Sequence, residues 1–322
     1  MVYPMSEPVD QPTSTRLIDA APWEAYRRPY VRDLAYALAC PNVLTEWIDF
    51  APHQTTHTIS VHNASFWRTQ FEAYGQRLTE LDTTTDYQAL TRYLLKRPSP
   101  NRLGFHFEGL LSFWLEDGFA RKLHPYETLA NNVQLYNGKQ TTGELDLILY
   151  NHAENLVEHW ELAIKFFMGS APFKPENWVG INSNDNLQRK MTHMQTKQFR
   201  TVWVDTENHG QVKIDKRYGV IKGRFFLPKN IANLFYPSWL VPSFPMHEWC
   251  DKYDTSTLAM LDIRDLRAAH YIEWFSKRDF YDGRPSALIH SENGILKTGL
   301  YFEGDRPIVI YPKQHDETDD KF

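Results

Sequence analysis

Cysteine is nearly absent: Cys40 and Cys250 are the only two in 322 residues. That is too few for a disulfide scaffold in a chain of this size, so a reducing, cytoplasmic setting is the simplest expectation. Positive charge is not in surplus. A net charge of −5 and a pI near 6.2 exclude a protein that coats nucleic acid by bulk electrostatics, while leaving room for a small, local basic groove. No stretch approaches about 18 uninterrupted apolar residues, and the N-terminus lacks a basic region followed by an apolar run, so neither a membrane span nor a secretory signal is expected. Also missing are an internal repeat, a GxxxxGK[ST] loop, a GxGxxG fingerprint and a GxSxG elbow. Their absence removes the sequence grounds for phosphate-loop, dinucleotide-binding and hydrolase-elbow chemistry.

What is present suits a globular α/β protein, with 42% hydrophobic and 14% aromatic residues to build a core. Residues 1–15 carry Pro4, Pro8 and Pro12 among polar residues and read as a tail. Residues 16–100 read as a helical layer: Tyr30 to Ala39, Asn63 to Asp82 and Asp86 to Lys96 have helical spacing, and Leu44 to Phe50 suggests a further turn. Residues 101–228 read as the α/β core and 229–315 as an α+β extension. That extension has an expected helix from about Thr257 to Lys277 and strands near Gly299 to Phe302 and Pro307 to Tyr311. Residues 316–322 read as an acidic tail. His53, His57 and His62 invite a metal reading, but the β-branched run from Thr55 to Val61 disfavours the helix that would align them.

The stretch that carries chemistry is Gly143 to Lys165, GELDLILYNHAENLVEHWELAIK. Two apolar runs, Leu145 to Leu149 and Trp160 to Lys165, flank the polar Asn151 to Asn155 and predict a β-hairpin. With the turn near Ala153, residues whose numbers sum to about 307 face each other, which sets Asp146 opposite Glu161. A half-buried pair of carboxylates is costly unless a cation, a basic side chain or a shared proton compensates it. Lys165, on the same face as Glu161, and a divalent metal are the candidates. Upstream, Leu103 to Gly118 is apolar nearly all round and predicts a buried helix. Its Glu108 needs either a partner, such as Arg121 or His106, or a role in a site. Downstream, Leu187 to Phe199 predicts a helix with an apolar stripe of Leu187, Met191 and Met194 and a basic flank of Arg189, Lys190, His193, Lys197 and Arg200.

These residues resemble the restriction-endonuclease-like (PD-(D/E)XK) nuclease superfamily: a helix with a glutamate, then a meander with an aspartate on its second strand and an acid and a lysine on its third. More narrowly, Leu103-Gly104 to Phe107-Glu108, Gly143 to Asp146, His159 to Phe166 and the Asn186 to Gln198 helix resemble a bacterial family of unknown function, domain family 1853. The resemblance implies a restriction-endonuclease-like core, a mixed central sheet flanked by helices. It implies Asp146 and Glu161 as ligands of Mg²⁺ or Mn²⁺, Lys165 as the catalytic lysine and Glu108 as the first-helix glutamate. In the superfamily the acid and lysine usually stand two residues apart. Here they stand four apart, about 13 Å along a strand, and Ala163 occupies the place of the acid. Either Glu161 reaches the metal from a shifted position, or the centre is altered.

The expected function is Mg²⁺-dependent phosphodiester hydrolysis in nucleic acid, DNA before RNA, with the basic flank meeting phosphates. The alternative is a catalytically inactive nuclease fold serving as a nucleic-acid- or protein-binding module. A third option, a small-molecule metallohydrolase, requires histidines near the acids, and only His106 and His159 are close in sequence.

Overall fold

A computed structural model of the chain describes residues 21–54, 57–97, 99, 102–137, 140–182, 184–229, 231, 237–262, 265–278, 291–292 and 295–313. The tails expected at 1–15 and 316–322 lie outside these residues. The fold is mixed α/β, a large mixed sheet with helices on its flanks. The chain divides into two compact units, one from Met1–Lys165, Leu187–Gly223 and Tyr236–Pro245, the other from Phe166–Asn186, Arg224–Phe235 and Met246–Phe322.

The first unit begins with α1 (Pro29–Ala39), α2 (Ala64–Ala73), α3 (Gly75–Thr83), α4 (Tyr87–Lys96) and α5 (Leu103–Ala120). Pro29 opens α1 at a position where its missing N–H is not needed, and the Asn63 side chain accepts from Phe66 N–H to cap α2. The single helix expected over Asn63 to Asp82 is two, because the chain is interrupted at Tyr74 before Gly75. The turn expected at Leu44 to Phe50 is not helical either. Leu44 forms an isolated bridge with Leu240, and this pairing across a long sequence separation overrides the local preference.

Next come β1 (Tyr126–Asn137), β2 (Gln140–Asn151) and β3 (Leu156–Gly169), an antiparallel meander in which β3 runs past the end of the unit. The hairpin register is the one read from sequence: Leu147 faces Trp160 and Ile148 faces His159, each pair summing to 307. Asn155, at φ 57°, closes the turn in the left-handed conformation that asparagine tolerates. Trp160 projects to one side of β3 and meets Trp67, Trp114, Phe66 and Tyr126, which builds an aromatic core beneath the helices. The side chains of Ile148 and Val157 instead meet Val204 and Ile214 in a separate apolar cluster. These come from β5 (Trp203–Thr206) and the edge of β6 (Gly210–Lys213), a hairpin that follows α6 (Leu187–Thr196) and a short 3-10 turn at Gln198–Arg200. β7 (Lys216–Pro228) lies beside β3. Their close approach requires glycine at 223, where φ is +135° and an added Cβ would stand 1.7 Å from the Lys165 carbonyl oxygen.

In the second unit, the continuation of β3 pairs with β4 (Trp178–Val179). The continuation of β7 pairs in parallel with β8 (Met246–Asp251). The helix expected from Thr257 to Lys277 is absent among the described residues. The segment holds a short α7 (Thr255–Leu258), β9 (Leu266–Ala268) and a 3-10 turn at Tyr271–Trp274. Leu261 and Leu266 are drawn into an apolar cluster with Cys250, Tyr301, Ile308 and Ile310, so tertiary burial overrides helical periodicity. After the two-residue strands β10 (Ser291–Glu292) and β11 (Ile295–Leu296), β12 (Gly299–Glu303) and β13 (Arg306–Tyr311) are the two expected strands, and they pair as an antiparallel hairpin. β13 runs parallel to β8 and β12 antiparallel to β9.

Candidate functional site

Regular pairing between β2 and β3 is recorded from Asn151–Leu156 to Leu147–Trp160, and at the next position the two acids take over the backbone groups. The Asp146 N–H donates to Glu161 Oε1 at 3.4 Å, and the Leu162 N–H donates to Asp146 Oδ2 at 2.7 Å. The facing arrangement expected from the hairpin register is therefore reached, with each carboxylate bridging to the other strand. Glu161 has no exposed side-chain surface, whereas Asp146 keeps partial solvent access.

Both carboxyls resist ionisation. Burial, and then the neighbouring Glu161 charge, hold Asp146 well above the usual carboxylate range, with the Leu162 N–H and the Lys190 ammonium opposing. Burial pushes Glu161 up to about 8, and Lys190 is the strongest opposing influence. Two such groups so close together titrate as a pair. Lys190, on α6, is thus a cation felt by both acids. This gives one member of the basic flank a place at the site. Arg189 and His193 lie on the same helix with exposed side chains; the helix expected to Phe199 ends at Thr196, and Lys197, also exposed, lies between it and the 3-10 turn.

Residues not assigned a role from sequence complete the surroundings of Glu161. His159 lies two residues back on the same face of β3, and its Nε2 is 2.7 Å from Glu161 Oε1. Burial pushes the imidazole down to about 3, so it is neutral at physiological pH and Nε2–H donates. The Gln198 side-chain amide also donates to Glu161, at Oε2. Among the described residues, His159 Nδ1 and Gln198 Oε1 are buried without hydrogen-bond partners. Period-two spacing marks His159 in the sequence, whereas nothing local marks Gln198.

Glu108 joins the site by its charge: after burial, Asp146 is the largest influence raising it, to about 7. Its contacts differ from the expected ones. Arg97 Nη2 lies 3.7 Å from Glu108 Oε2, and the Asn132 amide donates to the same oxygen at 3.5 Å. Arg121 instead pairs with Asp117, and His106 with Asp33. Asn132 reaches the position from β1 at φ 50°, a local conformation no spacing rule reveals. Lys165 stands at the far end of the first unit's part of β3, half-buried, its backbone fixed against Gly223. β3 is unbroken from Leu156 to Gly169, so the separation of about 13 Å from Glu161 to Lys165 persists along the backbone.

Carboxylate oxygens are the ligand type a hard divalent cation takes. Asp146, Glu161 and Glu108 offer carboxylate oxygens, and the paired acids hold protons that a cation would displace. Among the described residues no group of three or more His, Cys, Asp or Glu side chains stands where it could hold a metal ion, so Asp146 and Glu161 are two ligands and not part of a larger set. An ion here would therefore rely on water and substrate oxygens for its remaining ligands, as Mg²⁺ commonly does. His106 does not converge on the acids, which leaves His159 alone of the two histidines considered, and it donates rather than ligates.

Comparison with curated proteins and with solved structures gives no match. A family model matches residues 32–275, most of the chain, and by that match the protein belongs to the family described as domain of unknown function (DUF1853).

Proposed function

We propose that the chain is a Mg²⁺-dependent phosphodiesterase acting on nucleic acid, DNA before RNA, built on a restriction-endonuclease-like core. The observation that carries this reading is the facing pair Asp146 and Glu161, each bonded to the other strand's backbone and both held above the usual carboxylate range, with Lys190 and Glu108 among the charges they feel. When bound, the ion would polarise a phosphoryl oxygen and favour ionisation of the attacking water. Asp146 and Glu161 would hold it in their ionised form. His159 fixes Glu161 by donating from Nε2, and Gln198 fixes its second oxygen. Glu108, titrating near neutrality, can hold or release a proton beside Asp146. Lys190 supplies positive charge toward the acids and a scissile phosphate, with Lys165 the second lysine to test. Arg189 and His193 on α6, with Lys197 just beyond its end, extend the basic flank for the polymer backbone.

A binding module without catalysis is favoured by one observation. The oxygens of Glu161 already receive His159, the Asp146 N–H and Gln198, and its side chain has no solvent exposure. A cleavage screen separates the readings, using single-stranded, double-stranded and branched DNA plus RNA, with Mg²⁺ or Mn²⁺. The wild type should cleave, Asp146→Asn should not, and Lys165→Ala should lose activity if that lysine acts. Binding without metal-dependent cleavage of any substrate would leave the module reading.

A further inference from the structure

We infer, building on the nuclease reading, that Trp203 is a stacking platform for an unpaired base, so that the substrate presents a single-stranded segment beside the site. Trp203 is 55% exposed and is the one tryptophan among the exposed large apolar side chains of the described residues. It is not on a loose loop. It stands in β5, paired across the ladder with Lys213 of β6, and the inward neighbours Val204 and Ile214 are buried in an apolar cluster. The hairpin is closed by Gly210 at φ +64°, and the Thr206 hydroxyl donates to the Gly210 carbonyl and accepts from the His209 N–H. The indole is therefore held outward by a rigid element, and leaving it there forgoes a large burial gain that a functional contact would recover.

Chain connection and charge identify the occupant. Gln198, which touches Glu161, lies five residues before Trp203, a span of at most about 17 Å. The buried Arg217 guanidinium fixes the start of this connection by donating to the Phe199 and Thr201 carbonyls. The exposed Arg200 and Lys197 lie at its start and Lys213 directly opposite the ring. A ring with Lys213 directly opposite and Arg200 three residues before it in the chain, and with Asp205 as the one acid on the same face of β5, fits a base with its phosphate, since every base has a stackable face and each phosphate a charge to neutralise. A paired base in a duplex does not offer that face.

The test titrates full-length protein in EDTA against fluorescein-labelled oligothymidylate and against a blunt duplex, read by anisotropy. Trp203→Ala should weaken single-strand binding by about tenfold or more, Trp203→Phe should restore most of it, and duplex binding should change little. Lys213→Gln should lower the salt slope on the single strand by about one, and it tests the surface even if Trp203→Ala proves unstable. Wild-type affinity in Trp203→Ala, or an equal loss on duplex, overturns the inference. A change in oligomeric state without change in oligonucleotide affinity also overturns it, by making the surface a contact between copies. Metal-dependent cleavage by the wild type is scored separately. If it cleaves while Trp203→Ala binds normally, only this inference falls; if the wild type binds no polymer, the nuclease reading falls with it.

Discussion

Replacing Glu161 by glutamine should make the protein more tolerant of alkaline pH. The Glu161 carboxyl is wholly buried and pushed up from 4.5 to about 8, first by that burial. Between those values the native state keeps a proton that the unfolded chain has released, so stability falls as pH rises from about 4.5 through about 8. At about 1.36 kcal/mol per pH unit the whole window is worth at most about 5 kcal/mol, and the part between pH 6 and 8 about 3 kcal/mol. These are upper bounds because Asp146 titrates with Glu161. His159, pushed down to about 3, acts in the opposite sense: it makes stability rise with pH up to about 6.5, and it is present in both proteins. The amide introduced by Glu161→Gln can still accept from His159. Its NH₂ meets Gln198, whose own buried Oε1 is without a partner among the described residues, so a turn of the Gln198 amide satisfies both. Urea denaturation of both proteins at pH 6, 7 and 8 should show the wild type losing stability relative to Glu161→Gln at each step. Parallel pH profiles would refute the reasoning.

Three further outcomes follow from the same geometry. Replacing Lys190 and Lys197 together by glutamine should weaken nucleic-acid binding and lower its salt slope by about two, one per lost phosphate contact, measured by anisotropy across a salt series. An unchanged slope would return both to ordinary surface lysines. Gly223→Ala should cost at least about 3 kcal/mol or abolish soluble expression, because the new Cβ would overlap the Lys165 carbonyl oxygen at 1.7 Å and the backbone would be strained at φ +135°; a urea midpoint matching the wild type would contradict that packing. Lys165→Met should keep its fold and metal affinity, since lysine is not a ligand, while losing cleavage if the lysine acts on the phosphate. Full cleavage by the variant would remove Lys165 from the mechanism.

The central hairpin was legible because its information is local: two apolar runs, a polar turn and a period of two fix which residues face each other. That logic sets Asp146 against Glu161, and it extends to His159, which shares the face of Glu161. Gln198 and Asn132 were not legible, since each depends on how a distant segment folds back and on a local backbone conformation. Arg97 belongs to the same class: it meets Glu108 across a chain reversal that no helical spacing describes. Lys190 was visible as one of several cations on α6, but its influence on both acids depends on where that helix comes to rest. The lost helix at Thr257 to Lys277 shows the reverse limit, where apolar spacing was real but was used to fill the cluster around Leu261 and Leu266.

The most direct test of the paired acids as a metal centre is Mn²⁺ titration calorimetry near pH 7, in two buffers of different ionisation enthalpy, on the wild type and Asp146→Asn. Because burial holds both carboxyls above the usual range, a cation that binds them must displace protons; binding to the wild type should release protons, and both the heat and the proton release should vanish in Asp146→Asn. Absence of Mn²⁺ binding to the wild type, or identical binding by Asp146→Asn, would contradict the account.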